Sequence, residues 1–177
     1  MELNQLPSKI LNSKKLIAIY CNKRATDKFL VGQILNRTND CLLLSLISPN
    51  FDEDGICLCS KGFVFRIEQD SQYLLKIKKP PFMVPQHLGG DPWDDFWIYA
   101  EEHKYVTQIK NFSGKRVLFG VPIEHSTNTV TIRRVTANGA WGNTRKINRE
   151  KIALLVCNSE TEAQRQLALQ KRGLLDA

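Results

Sequence analysis

The chain has 177 residues, 42% of them apolar, a net charge of +7 and five cysteines. That length holds one or two domains with real cores, and no apolar run approaches the roughly 20 residues that span a bilayer, so no membrane association is expected. The N-terminus lacks a charged-then-apolar signal pattern, and five unspaced cysteines are no disulfide framework; both point to a cytoplasmic protein.

A stretch at 2–12 can form a helix, interrupted by Pro7. Five runs rich in β-formers follow, at 16–21, 29–36, 41–48, 56–60 and 63–68, split by turn-rich segments such as 49–55 and Lys61-Gly62. So many short strands in about 55 residues are the mark of a small barrel. Residues 80–91 hold three prolines, Pro80, Pro81 and Pro85, and two glycines, Gly89-Gly90, as expected of a linker that is stiff first and flexible after. Asp91-Pro92-Trp93-Asp94 then reads as a helix start, with Asp at the N-cap and Pro at the first helical position. Trp93, Phe96, Trp97 and Ala100 recur at i, i+3, i+4 and i+7, an apolar stripe. A second set of five runs follows at 104–109, 116–123, 129–135, 141–147 and 151–157. Val130 and Ile132 alternate with Thr129, Thr131 and Arg133, the pattern of a half-buried strand. Ser159-Glu160-Thr161-Glu162 is a capping box that opens a last helix, and Gly173 can close it.

The two sets of runs are related by an offset of 88 residues. Leu30-Val31-Gly32 falls on Leu118-Phe119-Gly120, Ile47-Ser48-Pro49-Asn50 on Val135-Thr136-Ala137-Asn138, and Lys61 on Arg149. Few letters are identical; the pattern is what matches. A repeat of this period replaces one large domain with two small modules. Gly32 and Gly120 sit in mid-strand, where glycine serves as a bend that lets a sheet curl.

No phosphate loop, nucleophile elbow, His-x-x-x-His or Cys-x-x-Cys occurs, so no enzyme and no cofactor are expected. His87, His103 and His125 are scattered. Cys57-x-Cys59 lacks the spacing of a structural zinc knuckle, and the cysteines read as reduced core residues rather than metal ligands. Asp94, Asp95, Glu101 and Glu102 fit a helix N-terminus and a solvated face. Charge is the clearer signal. Residues 113–157 carry eight Lys/Arg against Glu124 and Glu150, while 91–112 carry five acids against two lysines. Such a basic module suggests an acidic partner, commonly nucleic acid. The loop 138–143 places Trp141 between glycines beside Arg145 and Lys146, an aromatic with flanking cations that can stack a base if exposed. The other outcome is that Trp141 begins a strand and folds inward.

Val31-Gly32-Gln33-Ile34, followed by the hairpin Asn36-Arg37-Thr38-Asn39-Asp40, and later Cys59-Ser60-Lys61-Gly62-Phe63-Val64-Phe65, resembles the two motifs of the Sm/Lsm family. Lys61 stands where that family has arginine, and Asn148-Arg149-Glu150 occupies the place in the second repeat without its glycine. The resemblance implies a mainly β protein with flanking helices, built as two tandem Sm-like (SH3-like) five-stranded barrels. The first would span 1–79, a linker 80–91, and the second, basic barrel 92–177. The implied function is non-catalytic nucleic-acid binding, to RNA, with Arg133, Arg134, Arg145, Lys146 and Arg149 on phosphates, Trp141 as a stack, and Lys61 as the first barrel's contact. The alternative is a protein–protein interaction or scaffold module that meets an acidic protein partner or another copy of itself.

Overall fold

The computed structural model describes residues 15–23, 27–77, 89–113 and 117–175. Its first half contains β1 (Leu16–Tyr20), β2 (Leu30–Arg37), β3 (Cys41–Ile47), β4 (Glu53–Ser60), a 3-10 turn (Lys61–Phe63), β5 (Arg66–Gln69) and the short helix α1 (Gln72–Lys76). The second half contains α2 (Pro92–Glu102), β6 (Thr107–Asn111), β7 (Val117–His125), β8 (Thr129–Val135), β9 (Trp141–Asn148), a 3-10 turn (Arg149–Lys151), β10 (Ile152–Cys157) and α3 (Glu160–Lys171). The expected helix at 2–12 and most of the expected linker lie outside the described residues. Among those described, no helix is long and apolar enough to cross a membrane.

All ten strands form one antiparallel sheet in the order β5-β1-β2-β3-β4-β10-β6-β7-β8-β9. This corrects the expectation of two separate closed barrels: the sheet is continuous across the halves, and it is not closed, because β5 and β9 end it. The physical reason lies in β4 and β10. Both are buried on both faces, Gly55–Cys59 in one and Ile152–Cys157 in the other. Strands of that kind need a neighbour on each edge and cover on each face. Pairing them, with Leu155 opposite Leu58 and Cys157 opposite Ile56, satisfies both at once.

Within the sheet, the ladders of the two halves agree under a constant shift. Adding 88 to the pairs Gly32↔Leu46, Ser45↔Ile56 and Cys41↔Ser60 gives Gly120↔Arg134, Arg133↔Thr144 and Thr129↔Asn148, each of which is present. The bulge between Ile34 and Asn36 falls on the one between Pro122 and Glu124. Turns agree too. Lys61 N–H donates to Asp40 O, and Arg149 N–H to Asn128 O, each at 2.8 Å. Phe51 and Gly139 have φ of 68° and 69°, and Asp70 and Asn158 both 59°. Only β1 and β6 are related by a shift of 90, so that Ile17↔Gln69 corresponds to Thr107↔Cys157. Gly32 and Gly120 occupy matching close approaches. A Cβ on Gly32 would lie 2.2 Å from Ser45 O, and one on Gly120 would lie 2.8 Å from Arg133 O.

Helix α2 supplies the largest buried side chains. Trp93, Phe96, Trp97 and Ala100 are all at 0–1% exposure. They pack on Cys41, Leu43, Ile56 and Leu58 of the first half and on Ile109, Val130, Ile132 and Leu155 of the second, so one helix cements both. The opposite face of the first half is closed by Ile17, Ile19, Leu42, Leu44, Leu46, Cys57 and Ile67, joined by Leu154 and Val156 from β10. Helix α3 packs Leu169 on Val106, Val121 and Val135. All five cysteines are free thiols. Burial pushes Cys57 and Cys157 up. Cys59 is raised too, first by its hydrogen bond with Cys21 and then by burial.

Candidate nucleic-acid interface

The β8–β9 hairpin carries five of the seven expected contact residues, Arg133, Arg134, Trp141, Arg145 and Lys146, and its register sorts them. Residues directly opposite in an antiparallel pair share a face, and neighbours along a strand alternate. Thr129↔Asn148, Thr131↔Lys146 and Arg133↔Thr144 therefore line one face, which we call outer. Val130↔Ile147 and Ile132↔Arg145 line the inner face, toward α2, and Arg134 joins them two residues beyond Ile132. The expected cation cluster is thus two pairs: Arg133 with Lys146 outside, Arg134 with Arg145 inside. Asn143, Thr144, Arg145 and Lys146 are all exposed.

Trp141 is half-buried at the start of β9, packed beside Val106, Val121, Val135 and Leu169. Its indole N–H donates to Leu174 O at 3.2 Å. The Arg133 guanidinium lies over the ring, 4.5 Å from its centroid. The indole is thus the base of a stack whose next layer is an arginine plane, a favourable contact in its own right. Arg165 repeats the arrangement over Phe119 at 3.8 Å and donates to Thr136 O. Arg134 donates to Asn143 Oδ1 at 3.0 Å, and its Nε is buried without an acceptor among the described residues.

At the other end of β9 the hairpin tips and 3-10 turns of the two halves meet around a cleft of about 520 Å³. Asp40 and Ser60 come from the first half; Asn128, Thr129, Asn148 and Arg149 come from the second. Phe112, 46% exposed, stands at the cleft and meets Phe63 edge to face. Arg149 is held in place. It forks onto Asp91, 3.0 Å to each oxygen, donates to Thr127 O, and lies 5.3 Å from the Trp93 ring. Burial alone would lower its pKa, but the Asp91 carboxylate outweighs it and the guanidinium is held above its ordinary value. Lys61 follows Ser60. Burial first, then Arg37, lowers its ammonium, against the pull of Cys41 and Asp40.

Asn148 and Thr129 belong to both features. They line the cleft, and they begin the outer row that continues through Thr131, Lys146, Thr144 and Arg133 to Trp141. A polar and cationic path therefore leaves the cleft along β8–β9. The threonines, Asn148 and Phe112 were not singled out in the sequence; the alternation of 129–135 held the signal for the threonines. The histidines are engaged elsewhere, His125 Nδ1 with Glu101 at 2.8 Å and His103 Nδ1 with Tyr99 O at 2.9 Å, while His87 lies outside the described residues. No protein-family model matches the chain, and no curated protein or solved structure matches it.

Proposed function

We propose that the protein is a non-catalytic RNA-binding protein composed of two Sm-like units set side by side, and that it holds a single strand along the outer face of β8–β9 and into the cleft. The observation that carries this reading is the unbroken row from Asn148 and Thr129, past Lys146, to Arg133 stacked on Trp141. The chemistry is what a single strand needs. Lys146, Arg133 and Arg149 offer positive charge to phosphates. Amides at Asn128 and Asn148 can read base edges, and the outer plane of the Arg133 guanidinium can stack a base. One row of side chains is one strand wide, which favours single-stranded RNA over a duplex. Arg134 and Arg145 face the other way and act on this strand only through their field.

The matching ladders and turns of the two halves support two related units. Five reduced thiols fit the cytoplasm. Ultraviolet crosslinking to a thiouridine-substituted single-stranded RNA tests the path: adducts are expected on 129–148 and at Phe112. Adducts confined to the first half or to α3 would contradict it.

A further inference from the structure

The two ends of the sheet are the two sides of the internal joint, repeated. β10 covers β4 through the pairs Leu154↔Cys59, Leu155↔Leu58, Val156↔Cys57 and Cys157↔Ile56. Under the shift of 88, β4 corresponds to β9, and β5 to β10. Among the described residues β9 pairs with β8 alone and β5 with β1 alone. Each chain therefore carries, one at either end of its sheet, the two kinds of edge that the joint unites. Such edges present rows of backbone N–H and C=O groups that template a further strand.

The side chains of these two edges fit each other. The register of the joint, carried over by 88, sets Arg66, Ile67, Glu68 and Gln69 of a second copy opposite Ile147, Lys146, Arg145 and Thr144. Those four residues are the whole of β5. Cys57 and Val156, which share one apolar cluster at the joint, are replaced by Arg145 and Glu68. Opposite charges directly across an antiparallel pair stabilise it. Asp70 comes next, opposite Asn143 and near Arg134, whose Nε lacks an acceptor among the described residues. Arg145 is exposed. Glu68 holds Arg66 through one oxygen at 3.0 Å and the Tyr20 hydroxyl through the other at 2.9 Å, and each oxygen keeps a lone pair for a further donor. Other occupants fit less well. An apolar strand would strip water from Arg145 and give it no partner. β9 laid antiparallel on itself would set Arg145 and Lys146 against the same two cations.

We propose that copies of this chain join head to tail, β9 of one on β5 of the next, in the register that β10 takes on β4, with Arg145 paired to the neighbour's Glu68. The two joints then differ in kind. The one inside the chain is apolar and permanent; the one between copies is ionic, so salt loosens it. Because the joined edges are different surfaces, the contact is not two-fold: it builds a ring if its rotation closes and a filament if it does not. The pairing is independent of RNA binding, since it takes the edge of β9 and an arginine of its inner face.

The test is a charge swap on the full chain, free of nucleic acid, with mass read by light scattering across a concentration series. At low salt the parent should rise above the mass of one chain, and about 1 M salt should return it there. Arg145→Glu alone sets two acids against each other, and Glu68→Arg alone two cations; each should weaken assembly at least about tenfold. An equal mixture of the two variants makes every joint complementary again and should reassemble. Glu68→Gln keeps an acceptor for the Tyr20 hydroxyl and should weaken assembly by itself, so the outcome does not hang on how well Glu68→Arg folds. In high salt Arg145→Glu should melt as the parent does, since the side chain is exposed. Hydrogen exchange at the amides of 144–147 should slow in the assembled parent and not in Arg145→Glu. Four results would overturn the proposal: a single-chain mass at every concentration in low salt, an assembly indifferent to Arg145→Glu, variants that fail to reassemble on mixing, or an assembly that forms with no slowed exchange at 144–147.

Discussion

Asp91 and Arg149 form a two-pronged ion pair, each guanidinium Nη atom 3.0 Å from a carboxylate oxygen, and Asp91 also caps α2 by accepting from the Trp93 N–H at 2.9 Å. One carboxylate thus ties the start of the central helix to the 3-10 turn at the cleft. Burial alone would raise the Asp91 carboxyl; Arg149 and the Trp93 N–H prevail and hold it below its usual value. Asp91→Ala removes a cap and strands an arginine, so a loss of about 1–2 kcal/mol is expected by urea denaturation. A depressed carboxyl stabilises above its unfolded pKa of 3.8 and loses that contribution as pH falls through its lower folded value. The difference between parent and Asp91→Asn should therefore shrink at strongly acid pH.

The approach at Gly32 gives a second expectation. A Cβ there meets the Ser45 backbone oxygen, which no rotamer change can move aside, whereas at Gly120 one close neighbour is the terminal Ile132 Cδ1 at 2.8 Å. Gly32→Val should cost about 3 kcal/mol or more, and Gly32→Ala should cost more than Gly120→Ala. Equal melting temperatures for the two alanine variants would show that β2 and β3 do not approach as tightly at Gly32 as this.

Glu162 sets the pH dependence near neutrality. It is 1% exposed, and the Ser159 hydroxyl donates to its carboxylate. Burial pushes its pKa up to about 7, with Ser159 and backbone N–H groups pulling the other way. The folded state therefore holds this proton more tightly than the unfolded chain, whose ordinary value is 4.5. Stability from this group is full below that value and is lost as pH rises to about 7, then flat. Glu162→Gln keeps a hydrogen-bond acceptor without the titration. Above neutral pH the variant should be more stable than the parent by on the order of 3 kcal/mol. A variant whose urea midpoint tracks the parent at every pH would refute the assignment.

The thiols are ranked by burial. Cys57, Cys59 and Cys157 are at 0% exposure, Cys41 is at 6%, and Cys21 is partly exposed. A disulfide-exchange reagent should titrate Cys21 in the native protein and all five once it is denatured. Fewer than five in denaturant would mean a disulfide, and a native reaction at Cys157 would mean an open joint.

Much of the sheet was legible in the sequence because alternation is a local property. β8 spans Thr129–Val135, the run read from its alternating residues, and β3 and β10 differ from the reading by one residue. Asp91 caps α2, and Gly173 closes α3 with φ of 65°. Helix α1, only Gln72–Lys76, escaped notice because five residues carry no period. The β4–β10 joint escaped because edge pairing between distant strands leaves no local trace, although Ile56–Cys59 and Ile152–Cys157 are apolar on both faces and the polar Asn143–Lys146 is not. The candidate site was half legible. Its cations were named, but their division between faces needs the register of β8 on β9, and the Asp91–Arg149 pair joins residues 58 apart. That Trp141 is covered by Arg133 rather than bare is likewise a fact of packing.

The most direct test is a salt titration of single-stranded RNA binding, by anisotropy, for the parent chain, Lys146→Ala and Arg133→Ala. The account predicts measurable binding at about 50 mM salt, an affinity that falls linearly on a log–log plot, and a slope smaller by about 0.7 in each variant. Arg133→Ala should lose a further 1–3 kcal/mol, as expected for a lost base stack. No binding at that salt concentration, or slopes unchanged in both variants, would contradict it.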